Sequence, residues 1–543
     1  MNPLFQLTLA VAVSMLVIPL VRRLAPRLGL VDMPDPRKVH TVPIPRVGGW
    51  GITVGSLVPL LLVFKLDPLV QSFLIGCLTL FAFGIWDDAR TIGHWTKFAG
   101  QLVAVATVVF YGDLWVSHVP FLDGALPAVL GKPFTMFALI GVINAINHSD
   151  GLDGLAGGES ILSLAALAIL GYMSDSALIL GISLATIGGI LGFLRYNSHP
   201  AYVFMGDSGS QVLGFTLGFL VVYLTQSANT AVSAALPLLI LGVPLADILS
   251  VLYQRIRGGM NWFKATRNHV HHRLLQVGFD HYETVVIIYS VQAAFVAGAV
   301  LARYESDTAV TVIYLAGIAT LFCALTAAER RGWRVPRARG TESKLTRLIA
   351  ALRVSKAIVN GPLLVITVTT PIVMLLSAFS VARTPSEFAA AAAVLAVVPA
   401  FQLLWPRAVR PVLLRLAIYA TAIFPAYLLV SYRETIPQTM QGLTMAVLVV
   451  LALAIVVYVR FSPHERFGTT PTDYLIVCGV VALALYGSIE ANSREVVEAV
   501  LLATVLMYAC EIIIVSTTET SGRRLLQYST LTALLIITLR GVL

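Results

Sequence analysis

The sequence predicts an all-α, polytopic transmembrane bundle of about eleven core helices followed by about seven more in a C-terminal extension. Three observations carry that expectation. The 543 residues are 57% hydrophobic and only 12% charged, far from the roughly 25% charged usage of soluble domains. Apolar runs of about 20 residues, the length that crosses a hydrocarbon core of about 30 Å, recur along the chain. Lys and Arg fall mostly in the links between those runs, and they alternate. The net charge of +9 therefore reads as membrane topology, and nucleic acid is not an expected partner.

The core runs fall near 4–22, 48–64, 68–86, 98–117, 134–149, 157–174, 177–195, 209–226, 234–254, 283–302 and 308–327. The first is followed by Arg22 and Arg23, the reverse of a signal peptide's charge order, so it reads as a retained helix with its N-terminus outside. With that orientation the inner links up to Lys356 hold 23 Lys and Arg and the outer links three, Lys65, Lys132 and Arg303, as the positive-inside rule requires. A basic linker, 331–356, separates the core domain, 1–330, from the extension, 357–543, whose runs lie near 360–381, 386–405, 411–431, 440–460, 473–489, 496–515 and 525–541. Cys77, Cys323, Cys478 and Cys510 sit in apolar runs without metal or disulfide spacing and are read as small hydrophobes.

Every acidic or histidine cluster of the core falls in a link that this parity places inside. Asp87 and Asp88 end an apolar run, where an ionisable side chain is costly enough to suggest function. Adjacent like charges suit a general base or a site near a metal; a solvated pair past a helix end is the plainer alternative. Lys97 and Gln101 open the next run and are placed to meet a phosphate, although Lys97 alone also fits a positive-inside flank. Asn144, Asn147, Asp150 and Asp153 recur every third residue, and a continuing helix would set them on one stripe offering oxygens to a nucleotide, a hydrated Mg²⁺ or a sugar. Asp207, between glycines at the head of an apolar run, is a candidate cation ligand and equally an ordinary helix cap. His269, His271, His272 and Arg273 fit phosphate better than zinc, because no Cys or carboxylate lies close in sequence to complete a tetrahedral set. The first inner link adds Arg37, Lys38, His40 and Arg46, which would also meet anionic headgroups in any membrane protein. Asp247, in a run containing Pro244, is read as satisfying a helix break.

In order, RKVHTVPIPRVGG, DDARTIGHWTKFAGQ, NAINHSDGLDGLAGG, VFMGDSGSQVLG, PLADILSVLYQR and HVHHRLLQVG resemble the polyprenyl-phosphate N-acetylhexosamine-1-phosphate transferases, the WecA/TagO and MraY superfamily. The resemblance covers about residues 1–330. It implies transfer of a sugar-1-phosphate from a UDP-N-acetylhexosamine to undecaprenyl or another polyprenyl phosphate, at the cytoplasmic face of a bacterial inner membrane, with a homodimer left open. It implies Asp207 as the ligand of Mg²⁺, with Asn147 as a second and Mn²⁺ as a substitute ion. It makes Asp87 the base, Asp88 its acidic neighbour, and Lys97, Asn147, Asp150 and Asp153 the lining of the phosphate and nucleotide site, with the histidines handling substrate. The HVHHRLL loop looks like the N-acetylglucosamine branch more than the phospho-MurNAc-pentapeptide branch. Relatives commonly carry Asp where Thr266 stands, which leaves sugar specificity open. A secondary transporter is the alternative from another class, but two repeated halves with broken helices are not evident in the sequence.

Overall fold

The computed structural model describes residues 3–34, 42–122, 124–259, 268–335, 356–381, 383–405, 411–461, 473–474, 476, 494–516 and 521–542. Among them, 12 helices are long and apolar enough to cross a membrane. The chain is a multi-pass, all-α membrane protein, and its one described sheet is a two-stranded antiparallel pair. It divides into two compact units, 1–336 with 470–479, and 337–469 with 480–543.

The first unit contains α1 (Pro3–Leu28), β1 (Val31–Asp32), β2 (Ile44–Pro45), α2 (Gly48–Val63), α3 (Pro68–Arg90), α4 (His94–Ala106), α5 (Ala128–Ser149), α6 (Leu155–Met173), α7 (Ala177–Asn197), α8 (Asp207–Tyr223), α9 (Leu236–Ile240), α10 (Gly242–Arg257), α11 (Val270–Val277), α12 (His281–Leu301) and α13 (Asp307–Arg330). α4 and α8 each run on into a single π-helical turn, Thr107–Tyr111 and Leu224–Ala228. α8 is the central helix: it packs on α2, α3 and α5, and 94% of its most apolar stretch is buried. Its approach is close because glycines line the crossings. A Cβ at Gly84 or Gly49 would collide with the backbone around Ser208.

The run expected at 234–254 is not one helix. It breaks at Leu241 and restarts as α10, where Pro244 lacks the amide that would bond the Ile240 carbonyl. Gln292 of α12 bridges the break. Its amide oxygen accepts from the Val243 N–H (2.8 Å) and its nitrogen donates to the Ile240 carbonyl (3.0 Å), which Ser163 also reaches at 2.8 Å. A broken helix survives at membrane depth when neighbours satisfy the freed backbone in this way. Asp247 therefore does not serve the break.

The second unit holds α14 (Lys356–Ser380), α15 (Ser386–Leu404), α16 (Pro411–Ser431), α17 (Gln438–Phe461), α18 (Arg494–Ser516) and α19 (Ser521–Val542). The run expected at 473–489 lies almost wholly outside the described residues. Ile366, Ile418, Leu451, Leu506 and Ile513 form part of its core. Glu511 is paired within this bundle: Arg415 approaches it at 3.3 Å and the Tyr419 hydroxyl donates to it at 2.5 Å. Cys77 and Cys510 are buried free thiols and Cys323 is exposed; Cys478 lies outside the described residues.

Candidate active site

The site is organised around the N-terminus of α8. Gly206 adopts φ +73°, a left-handed conformation, and a Cβ there would strike the Asp88 carboxylate. That turn aims the first N–H groups of α8 at Asp88, which accepts from the Asp207 N–H (2.9 Å), the Ser208 N–H (3.1 Å) and the Ser208 hydroxyl (2.7 Å). A carboxylate is stabilised at a helix N-terminus by unpaired donors and the helix dipole. Both oxygens of Asp88 are thus engaged by the first turn of α8.

Asp87 faces the other way. Its Oδ1 accepts from the Ile92 N–H (2.7 Å), and its Oδ2 lies 2.7 Å from Lys97 Nζ. Lys97 also donates to Asp207, so one ammonium bridges two carboxylates from α3 and α8. Asn147 completes the group, its amide nitrogen donating to Asp207 Oδ1 (2.9 Å) and to Ser210 (2.8 Å). Through these contacts Asn147 orients the Asp207 carboxylate.

One turn further along each helix the same three elements meet again. Gln101 follows Lys97 by four residues, Gln211 follows Asp207 by four, and Asn144 precedes Asn147 by three, so each lies on the same face as its partner. Asn144 donates to Gln101 (3.1 Å), and Gln101 to Gln211 (3.3 Å). Gln101 and Asn144 thus hold helices together beneath the acidic cluster.

The expected stripe ends early. α5 stops at Ser149, Asp150 leaves helical geometry, and Gly154 is left-handed at φ +81°. Asp150 keeps partial exposure but sits deep among protein atoms. Burial, followed by the like charges of Asp207, Asp88 and Asp153, pushes its carboxyl up to about 7 against the pull of Arg46. Asp153 points elsewhere, accepting from the Ala201 N–H (3.1 Å) and meeting His199 Nδ1 at 2.7 Å. It does not join the Asp207 cluster, because the helix that would have kept it in register has ended.

The first inner link reaches the site through its backbone. The Phe204 N–H donates to the Pro45 carbonyl (2.9 Å), and the Gly48 and Gly49 N–H groups donate to Phe204 (2.9 Å) and Met205 (2.8 Å). Arg46 pairs with Asp32 across the small sheet. Arg37, Lys38, His40 and Thr266 lie outside the described residues.

Three-dimensional folding supplies the carboxylate that the histidine segment lacks in sequence. Asp247 of α10 accepts at 2.7 Å from His269 Nδ1 and at 2.8 Å from the Val270 N–H, anchoring α11. His148 stacks on His269 (5.4 Å), and His271 contacts His272 (4.2 Å). Burial, then His272, pulls His271 down to about 3, so it is neutral near pH 7. Arg273 is turned away, forming a bidentate pair with Glu329 (2.8 Å) over Phe322. α13 thus supplies both a carboxylate and an aromatic face for it.

Sequence reading passed over His148, Gln211 and Gln292. The first two stood inside quoted motifs, where helical spacing from Asn144 and Asp207 was the available signal. Gln292 lay in an apolar run with no local signal.

Comparison with known proteins points the same way. Residues 70–225 match the family described as Glycosyl transferase family 4. A probable undecaprenyl-phosphate N-acetylglucosaminyl 1-phosphate transferase of Bacillus subtilis is 33% identical over 307 residues, 55% of this chain and 86% of the relative. The undecaprenyl-phosphate alpha-N-acetylglucosaminyl 1-phosphate transferase of Haemophilus influenzae is 33% identical over 58% of this chain and 91% of its own length. A decaprenyl-phosphate N-acetylglucosaminephosphotransferase of Mycobacterium tuberculosis is 34% identical over 55% and 84%. With identity at this level spread across most of each relative, and with the matched family segment running from α3 through α8, the chain belongs to glycosyl transferase family 4.

Proposed function

We propose that this protein transfers N-acetylglucosamine-1-phosphate, or a close N-acetylhexosamine equivalent, from its UDP-sugar to undecaprenyl phosphate at the cytoplasmic face of the inner membrane, as the initiating step of a cell-envelope polysaccharide. The observation that carries the proposal is the bridge of Lys97 between Asp87 and Asp207, held by Asn147 and Asp88 at the head of α8. The relatives' names supply the acceptor and the sugar phosphate.

The donor set is all hard oxygen: Asp207 and Asp87 face one another across a single lysine, which leaves carboxylate charge in excess. Such a set fits Mg²⁺, with Mn²⁺ as a substitute. Asp207 would be its principal ligand and Asp87 its neighbour, and the ion would offset diphosphate charge. In the reaction a lipid phosphate oxygen attacks the sugar-bearing phosphorus, the bond to the UMP phosphate breaks, and UMP leaves. Asp87 takes the acceptor's proton or orients the acceptor, and Lys97 stabilises phosphate oxygens. The work is positioning and charge neutralisation, the main needs of phosphoryl transfer.

Detergent-purified protein incubated with UDP-N-acetylglucosamine, undecaprenyl phosphate and Mg²⁺ should release UMP, and Asp207→Ala should abolish release in a protein that still elutes as wild type. Release only with UDP-MurNAc-pentapeptide would move the protein to the peptidoglycan branch. No release with any donor would end the proposal.

A further inference from the structure

Away from the acidic cluster, three links converge on a second set of metal-ligand side chains. Asp153 comes from the link between α5 and α6, His199 from the link between α7 and α8, and His281 from the first residue of α12. One ligand atom from each lies within 4.8 Å of the other two, and all three side chains are half-buried. His199 Nδ1 is 2.7 Å from Asp153 Oδ2, His281 Nε2 is 3.2 Å from the Asp153 carbonyl, and the two imidazoles stack at 4.0 Å.

Each contributor is held in place. Asp280 and Glu283 form a reciprocal capping box that fixes the start of α12, and so His281. The Asn197 side chain accepts from the Gly154 N–H (2.8 Å) and donates to the Val203 carbonyl (2.9 Å), tying the two Asp153-side links together. Tyr289 donates to the Gly154 carbonyl at 2.7 Å. Outer contacts of this kind orient metal ligands.

We infer that Asp153, His199 and His281 bind a divalent transition metal of imidazole preference, zinc in the first instance, independently of the transferase reading. Two imidazoles and one carboxylate are a recurrent set for such ions, whereas Mg²⁺ prefers oxygen alone. The ion would take the place of the hydrogen bond between His199 and Asp153. It ties three links to one point.

The test is equilibrium dialysis of the full-length purified protein against Zn²⁺ with Mg²⁺ in large excess, followed by X-ray absorption at the zinc edge. Wild type should retain one zinc per chain with nitrogen and oxygen neighbours. His199→Ala and His281→Asn should each lose it, while His272→Ala, in the other histidine group, should keep it. The absorption spectrum needs no variant, so a variant that fails to fold leaves a decisive measurement. Zinc with sulfur or all-oxygen neighbours, zinc retained by both His199→Ala and His281→Asn, zinc lost only with His272→Ala, or no zinc retained by wild type would each overturn the inference.

Discussion

Replacing Asp88 by Asn tests whether this residue acts through Asp207 or on the substrates. The carboxylate accepts two backbone N–H bonds and one hydroxyl bond, all at the head of α8. The amide keeps the shape and one acceptor oxygen but turns the other into a donor facing groups that also donate. Loss of a hydrogen bond to a charged group costs about 1.5–3 kcal/mol. If that cost is felt as misplacement of Asp207 in the transition state, kcat/KM falls about 10- to 150-fold, at about 1.4 kcal/mol per tenfold. UMP release across a Mg²⁺ titration is the assay, with thermal unfolding in detergent beside it. The Asn variant should need more Mg²⁺ for half-maximal rate, recover much of its rate at saturation and melt earlier, since a buried N–H loses its partner. A variant that melts like wild type and is inactive at every Mg²⁺ concentration would refute the reasoning and return Asp88 to the reacting groups.

Lys97→Gln leaves Asp87 and Asp207 facing each other without their shared cation, so kcat should fall about 10²–10³-fold, as on loss of a preorganised charge; near-normal turnover would remove Lys97 from the chemistry. Stability should carry two opposed pH terms. Asp150, raised from 3.8 to about 7, contributes stability that is present below the unfolded value and lost as pH rises through about 7; His271, lowered from 6.5 to about 3, contributes stability that is present above 6.5 and lost as pH falls toward 3. Thermal unfolding of Asp150→Asn from about pH 5 to about pH 8 should therefore decline less with rising pH than wild type, and an unchanged slope would contradict the burial of that carboxyl. Truncation after Lys356 should leave measurable transferase activity, because the residues proposed for chemistry all precede it and the relatives align over little more than half of this chain. Complete loss in a monodisperse truncated protein that still binds donor would assign the extension a part in the lipid-phosphate groove.

The all-α, multi-pass character and the gathering of Asp87, Lys97, Asn147 and Asp207 were legible because each follows from local pattern: apolar length and helical spacing. What was not legible depends on partners distant in sequence. Asp88 looks like a second acid until α8 presents three donors to it. Asp153 looks like the last member of a stripe until the helix stops at Ser149 and His199 takes it. Asp247 looks like repair for a broken helix until Gln292, 45 positions further on, occupies the break and His269 claims the carboxylate. In each case a side chain's role was set by a competitor for the same hydrogen bond, and no local window contains both.

The central placement of α8 also bears on how the protein is made. Asp207 meets Asp88 across 119 positions, Lys97 across 110 and Asn147 across 60. α3, α4 and α5 therefore precede it out of the ribosome with Asp88 and Asn147 still lacking their partners on α8, and bonds of such sequence separation form late. α8 must enter a slot already bounded by earlier helices, carrying Ser208, Ser210 and Gln211 into a fully enclosed position. Its arrival completes the acidic cluster and the amide layer beneath it together, so both depend on one event, the docking of a single helix.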